Sequence, residues 1–323
     1  MFEAKKKILV TGGSGFIGAH LTKRLVELGN DVVVVDNFRR SSPARLESIK
    51  DKIQLIDKDV REICELAEEI DKLDCVFHLA AINGTHNFYN YAQDVLDVAL
   101  RGTLQVFDLA VTLGAKEIFV ASSSEVYNEA RKIPTPENIE CLIPDIWNPR
   151  FSYGGGKLAQ ELITANYYND HFARKVIFRP HNIYGRDMGD GHVIPNLVSK
   201  IREAKKLGRE SIEILGDGEQ TRSFMHIDDF IDGLMTVYHE GQGGEIYHIG
   251  VEEEVSIKHL LTIIQSALGT ELTIKSMPAP KGETSRRCPD TSKLRGLGFR
   301  ASHDLRSGIN EILLPQPADT DRK

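Results

Sequence analysis

The segment Thr11-Gly12-Gly13-Ser14-Gly15-Phe16-Ile17-Gly18 constrains this chain more than any other. It closes a short apolar run, Ile8-Leu9-Val10-Thr11, and opens a stretch in which Ile17, Leu21, Leu25 and Leu28 fall on one helical face. The spacing fits G-x-x-G-x-x-G from Gly12 and G-x-G-x-x-G from Gly13. Such a strand-turn-helix lets backbone approach a pyrophosphate, and the helix N-terminus offers it free N–H groups. Gly29-Asn30 stops the helix, and Val32-Val33-Val34-Val35 reads as a strand buried on both faces.

That second strand ends in Asp36, eighteen residues beyond Gly18, followed by Asn37. A carboxylate there can accept from both ribose hydroxyls and would repel a 2′-phosphate, which favours NAD over NADP, with Arg39 and Arg40 close by. Further strand candidates at 53–56, 75–79, 117–122 and 175–179 are mostly separated by helical patterns. Repeated βαβ units predict an α/β fold, a Rossmann-type doubly wound parallel sheet. After about residue 180 the rhythm changes, with short strands expected at 212–215, 245–249 and 272–274 among loops rich in Gly, Pro and charge. The expected organisation is a dinucleotide-binding domain over 1–180 and a smaller C-terminal substrate-binding lobe over 181–314, some of whose elements return to the sheet. The last segment, 315–323, has no apolar period and is expected to be disordered.

The formal charge of −7 over 323 residues argues against a non-specific nucleic-acid or membrane-surface binder. Cys64, Cys75, Cys141 and Cys288 form no C-x-x-C pair, so no metal site or redox motif is indicated. With no signal peptide and no run of eighteen apolar residues, the expectation is a cytoplasmic protein with reduced thiols.

Tyr153-Gly154-Gly155-Gly156-Lys157 heads another helical pattern. Residues four apart share a helix face, so a phenol and an ammonium can serve one site. A neighbouring Lys⁺ and a positive nicotinamide favour phenolate, bringing the phenol towards neutrality so that it can take a proton from an alcohol.

Together these segments resemble the extended short-chain dehydrogenase/reductases of the nucleotide-sugar epimerase, dehydratase and decarboxylase group, from Ile8 to about Leu314. The resemblance implies that Gly12, Gly15, Phe16, Ile17 and Gly18 cradle NAD, that Asp59-Val60 lie beside the adenine, and that Leu79-Ala80-Ala81, Ser122 and Pro180 line the cofactor. It implies catalytic roles for Ser123, Ser124 and Glu125 beside Tyr153 and Lys157. A nucleotide-diphosphate sugar would contact His181, Asn182, His192 and Val193, with Arg222 and Arg287 on its diphosphate. It further implies a homodimer built from two helices per subunit. The candidates here are 94–113, with an apolar stripe of Leu96, Leu100, Leu104, Phe107 and Val111, and 153–169. Three positions depart from the family pattern: Arg186 follows Gly185, Ala99 stands three residues before Gly102-Thr103, and the Tyr-Lys spacer is all glycine.

The shared first step oxidises C4 of the sugar. The first choice for the 4-keto intermediate is 4,6-dehydration, with Glu125 as base at C5. A 4- or 3,5-epimerase and a UDP-glucuronate decarboxylase are the alternatives, the latter closest in Arg286-Arg287-Cys288-Pro289-Asp290. Ser124 stands where dTDP-glucose-type dehydratases carry an acid. From another class, a non-catalytic NAD-binding sensor or scaffold is also weighed.

Overall fold

The computed structural model describes residues 4–189, 191–278 and 284–313, so the expected disordered tail lies outside the described residues. Strands β1 (Lys7–Thr11), β2 (Asp31–Asp36), β3 (Ile53–Asp57), β4 (Cys75–His78), β5 (Glu117–Ala121) and β6 (Arg174–Pro180) run parallel. Later come β7 (Ile183–Tyr184), β8 (Ser211–Leu215), β9 (Thr221–Arg222), β10 (Met225–His226), β11 (Ile246–Ile249), β12 (Val255–Ser256), β13 (Thr273–Met277) and β14 (Arg286–Arg287). The main sheet has seven strands in the order β3-β2-β1-β4-β5-β6-β11, with β11 parallel to β6. The order reverses between β1 and β4, the point where doubly wound sheets open a crevice at their carboxyl ends.

The helices are α1 (Phe16–Glu27), α2 (Thr85–Asn90), α3 (Ala92–Asp97), α4 (Thr103–Thr112), α5 (Ser152–Asn166), α6 (Val193–Lys206), α7 (Ile227–Glu240), α8 (Ile257–Ala267), α9 (Ser292–Gly296) and α10 (Leu305–Leu313). Alternate strand residues feed two cores. Ile8, Val10, Val32 and Val34 pack towards Leu21 and Leu25 of α1 and Phe230 and Leu234 of α7. Leu9, Val33 and Val35 pack on the other face with Val106 and Phe107 of α4. Burial on both faces explains why these strands are continuously apolar. A third core joins β8 to α6, α8 and α10 through Ile201, Ile212, Ile214, Leu260 and Ile309.

The helix expected over 94–113 is interrupted. Val98–Gly102 widens into a π-helical turn between α3 and α4. The second expected helix ends at Asn166, three residues early, and Tyr168 has φ of 52°.

The turn between β1 and α1 depends on a missing side chain. A Cβ on Gly18 would lie 2.1 Å from the Gly12 carbonyl oxygen. Gly15, as N-cap, brings no side-chain acceptor, so the first N–H groups of α1 stay available. Gly18→Ala is expected to cost about 1–3 kcal/mol in urea unfolding by overpacking the turn, and to weaken NAD binding. An unchanged unfolding midpoint would contradict this account.

Candidate active site

A cavity of about 830 Å³ opens at the carboxyl ends of the central strands. Its first half is the glycine turn and the end of β2. Asp36 accepts there from Ser14 N–H (3.0 Å), Phe38 N–H (3.0 Å) and the Ser41 hydroxyl (2.7 Å). A carboxylate has about four acceptor positions, so capacity for a ribose hydroxyl remains. Asn37 donates to Asp59 (2.8 Å), which Arg61 also grips. The Arg61 hydrogen bond holds the Asp59 carboxyl down at about 2, against the opposing effect of burial.

Val60, Leu79, Ala80 and Ala81 continue the wall towards Ser122, Ser123, Ser124, Glu125, Tyr153, Lys157 and Pro180. An anion-ready turn, an acid at the second strand and a continuous trough from Asp36 to Tyr153 fit a dinucleotide.

Tyr153 stacks on Phe88, with ring centroids 5.0 Å apart. Burial pushes its phenol up to about 12, although a hydrogen bond with Ser123 and the charge of Arg40 oppose this. The chain's own groups thus leave the phenol high, and the positive charge of a bound nicotinamide would act against the burial. Desolvation outweighs its neighbours, and the Lys157 ammonium donates to the Ala121 carbonyl (2.6 Å) and to Gln160 (2.9 Å).

Two of the three spacer glycines have a steric cause. A Cβ on Gly154 would sit 2.8 Å from the Glu125 carbonyl oxygen, and one on Gly156 would sit 2.9 Å from Ala99 Cβ.

Glu125 is clamped. Arg287 Nη1 donates to one carboxylate oxygen (2.7 Å) and Arg150 Nη2 to the other (3.1 Å). Burial alone would raise this carboxyl, but the charges of Arg287 and Arg150 outweigh it and hold it at about 2. Arg150 carries no family signal; only the Asn148 cap and Pro149, which announce a helix start, set it just before Tyr153.

Strands β9 and β14 place Arg222 and Arg287 in register. Arg222 donates to the Thr284 carbonyl (2.8 Å) and supports the segment that carries Arg287. Arg287 thus stands beside Glu125 at the Tyr153 end, where the resemblance placed it on a diphosphate. Asn182, His192, Val193 and Arg222 line the same cavity, and burial lowers the pKa of His192.

His181 does not belong to the site. Its ring is buried against His248, with centroids 4.7 Å apart, and burial drives its pKa well down. His181 follows the end of β6 and is not among the residues that line the cavity. Arg186 is also elsewhere, paired with Glu311 of α10 (3.2 Å). Away from the cavity, His226, Asp228 and His303 come together. The two imidazoles are stacked at 4.3 Å, so their in-plane lone pairs do not converge on one point.

A doubly wound sheet with this glycine turn and a Tyr-x-x-x-Lys helix defines a short-chain dehydrogenase/reductase of the extended class. The chain belongs to the NAD dependent epimerase/dehydratase family, whose model matches residues 8–250, and it is an NAD-dependent enzyme. It is 30% identical to the UDP-N-acetyl-alpha-D-glucosaminuronate decarboxylase of Bacillus cytotoxicus, covering 96% of this chain and 97% of that one. It is 32% identical to UDP-glucuronic acid decarboxylase 6 of Arabidopsis thaliana, covering 95% and 88%. Among solved structures it resembles the dTDP-glucose 4,6-dehydratase DesIV of Streptomyces venezuelae with NAD bound. That match has a TM-score of 0.85 and 25% identity, and covers 95% of each chain.

The clamp on Glu125 has a pH signature. Its carboxyl is held below its ordinary 4.5, so the clamp stabilises the fold above that value and is lost as pH falls through about 2. Glu125→Gln is expected to lower unfolding stability by up to about 3 kcal/mol at neutral pH. The gap to wild type narrows on acidification. Urea titrations across pH would contradict the clamp if the gap stayed constant.

Proposed function

We propose that this enzyme decarboxylates a nucleotide-diphosphate uronic acid through a 4-keto intermediate. The observation that carries the reading is the Arg150–Glu125–Arg287 cluster beside Tyr153. A base for C5–H works best with a pKa near the working pH. A carboxyl held at about 2 is poorly suited to it. Ser124 offers no acid of the dTDP-glucose-dehydratase kind for a leaving 6-hydroxyl either, so that form of dehydration is poorly supplied. Two guanidiniums around one carboxylate leave one positive charge, which suits a sugar 6-carboxylate. The names of the two decarboxylase relatives support the same substrate class.

Gly12, Gly15, Gly18, Asp36 and Leu79–Ala81 would hold NAD, which supplies reversible hydride acceptance at C4. The chain's own part is proton handling. Tyr153 receives the 4-hydroxyl proton, with Ser123 hydrogen-bonded to the phenol and Lys157 beneath it. The C4 ketone is β to the carboxylate. As C5–C6 breaks, the electron pair passes to the ketone oxygen and CO₂ leaves. A solvent proton then adds at C5, and Tyr153 returns its proton to O4 as the hydride would be given back to C4.

The test is a substrate panel read by mass: UDP-glucuronate, UDP-N-acetylglucosaminuronate, UDP-glucose, dTDP-glucose and GDP-mannose. Loss of CO₂ from a uronate is expected. Loss of water from a neutral sugar would replace this reading with the dehydratase that DesIV suggests. Tyr153→Phe should lower turnover by a factor on the order of 10² or more, with NAD affinity nearly unchanged.

We further propose a homodimer through α3, α4 and α5. Leu96 and Leu162 are exposed and Leu100 and Leu104 half-buried on these helices, whereas Phe107 of the expected stripe is core. Sedimentation is expected to show a dimer at micromolar concentration and a monomer for Leu162→Glu. A wild-type monomer would refute it.

A further inference from the structure

Lys157 lines the cavity, yet only 2% of its surface is exposed. One helical turn on, Gln160 is wholly buried, and it does not line the cavity. Its Oε1 accepts from Lys157 Nζ (2.9 Å) and its Nε2 donates to Thr103 Oγ1 (2.8 Å). The Thr103 hydroxyl gives its own hydrogen to the Ala99 carbonyl (2.6 Å). A hydroxyl that has committed its hydrogen can only accept. His78 Nε2, 3.1 Å from it, is therefore a donor. His78 Nδ1 is left to accept from Thr11 Oγ1 (2.7 Å), which accepts in turn from Ala80 N–H (3.3 Å). Burial lowers His78 to about 3, in keeping with a neutral ring that has one donor and one acceptor.

Every link from Thr11 to Gln160 thus has one direction. Turning the Gln160 amide over would set an NH₂ against the ammonium and a carbonyl against Thr103 lone pairs. The close packing of Gly156 on Ala99 brings the two helices near enough for Gln160 to reach Thr103.

We propose that Gln160 is a positioning residue for Lys157: its oriented carbonyl holds the ammonium in place and charged, under the direction of the Thr103–His78–Thr11 chain. Among the groups facing Lys157, Glu161 favours its charge through space but gives it no hydrogen bond. Glu161 on the same helix is taken by Arg179 at 2.7 and 2.6 Å, His78 from β4 is neutral, and Tyr153 presents its ring at 5.8 Å. Burial still lowers Lys157 to about 7, so the loss of one acceptor bears directly on its protonation.

The inference rests on Tyr153 and Lys157 as the proton-handling pair, but its test needs no substrate. Protein carrying lysine labelled with ¹³C at Cε is titrated by NMR, with the Lys157 resonance identified by its loss in Lys157→Met. The wild-type midpoint is expected near 7. Gln160→Met, similar in size but without an acceptor, should lower it by roughly one pH unit. Gln160→Glu should raise it, and carries the test alone if the Met variant does not fold. Equal midpoints in the three proteins would overturn the proposal, as would a lowered melting temperature with no movement of the midpoint. Midpoints that move as stated support it even if no nucleotide uronate is turned over.

Discussion

The buried pair of Arg179 and Glu161 ties the catalytic elements together. One guanidinium edge meets the carboxylate: Nε and Nη2 donate to its two oxygens at 2.7 and 2.6 Å, with side chains only 3% and 7% exposed. Neither charge is left to satisfy itself. Glu161 also accepts from the Ser122 hydroxyl, and Arg179 also reaches Tyr127 and the Glu137 carbonyl. Tyr127 meets His248 of β11, whose other nitrogen lies 3.1 Å from the Asp290 carbonyl. One ion pair therefore links β6, α5, the end of β5, β11 and the segment after Arg287. Buried pairs are weak sources of net stability but leave a costly orphan when broken. That asymmetry suits a site whose parts come from five separate stretches of chain.

A second consequence concerns charge. The chain is acidic overall, yet its cavity gathers Arg150, Arg287, Arg222 and Lys157. Glu125 does not cancel this local excess. It orients two guanidiniums while neutralising one, so the reacting end remains attractive to an anion.

Much of the cofactor side was legible because it is local. The glycine turn, the acid after β2 and the Tyr-x-x-x-Lys spacing each lie within one strand-turn-helix or one helical turn, where periodicity and backbone sterics suffice. The paired strands explain what was missed. Arg287 reaches Glu125 only because β14 pairs with β9, a partnership across 65 residues with no periodic signature. Glu125 read as a base from its neighbours in sequence, whereas the arginine from each side decides its protonation. His181 looked like a contact because Asn182 beside it lines the cavity, but its own ring packs on His248 of β11. Two glycines of the all-glycine spacer, Gly154 and Gly156, are explained by carbonyl and helix contacts that only the fold supplies.

The place of β11 has a bearing on how this protein can be made. The strand that finishes the sheet is encoded at 246–249, and the helix covering that flank, α7, at 227–240. A fragment ending near residue 180 would present β6 as a naked edge, with Phe178 uncovered by Phe230. Bare apolar edges recruit other chains. A fragment cut after β6 is therefore expected to aggregate, whereas one that keeps α7 and β11 retains a covered sheet.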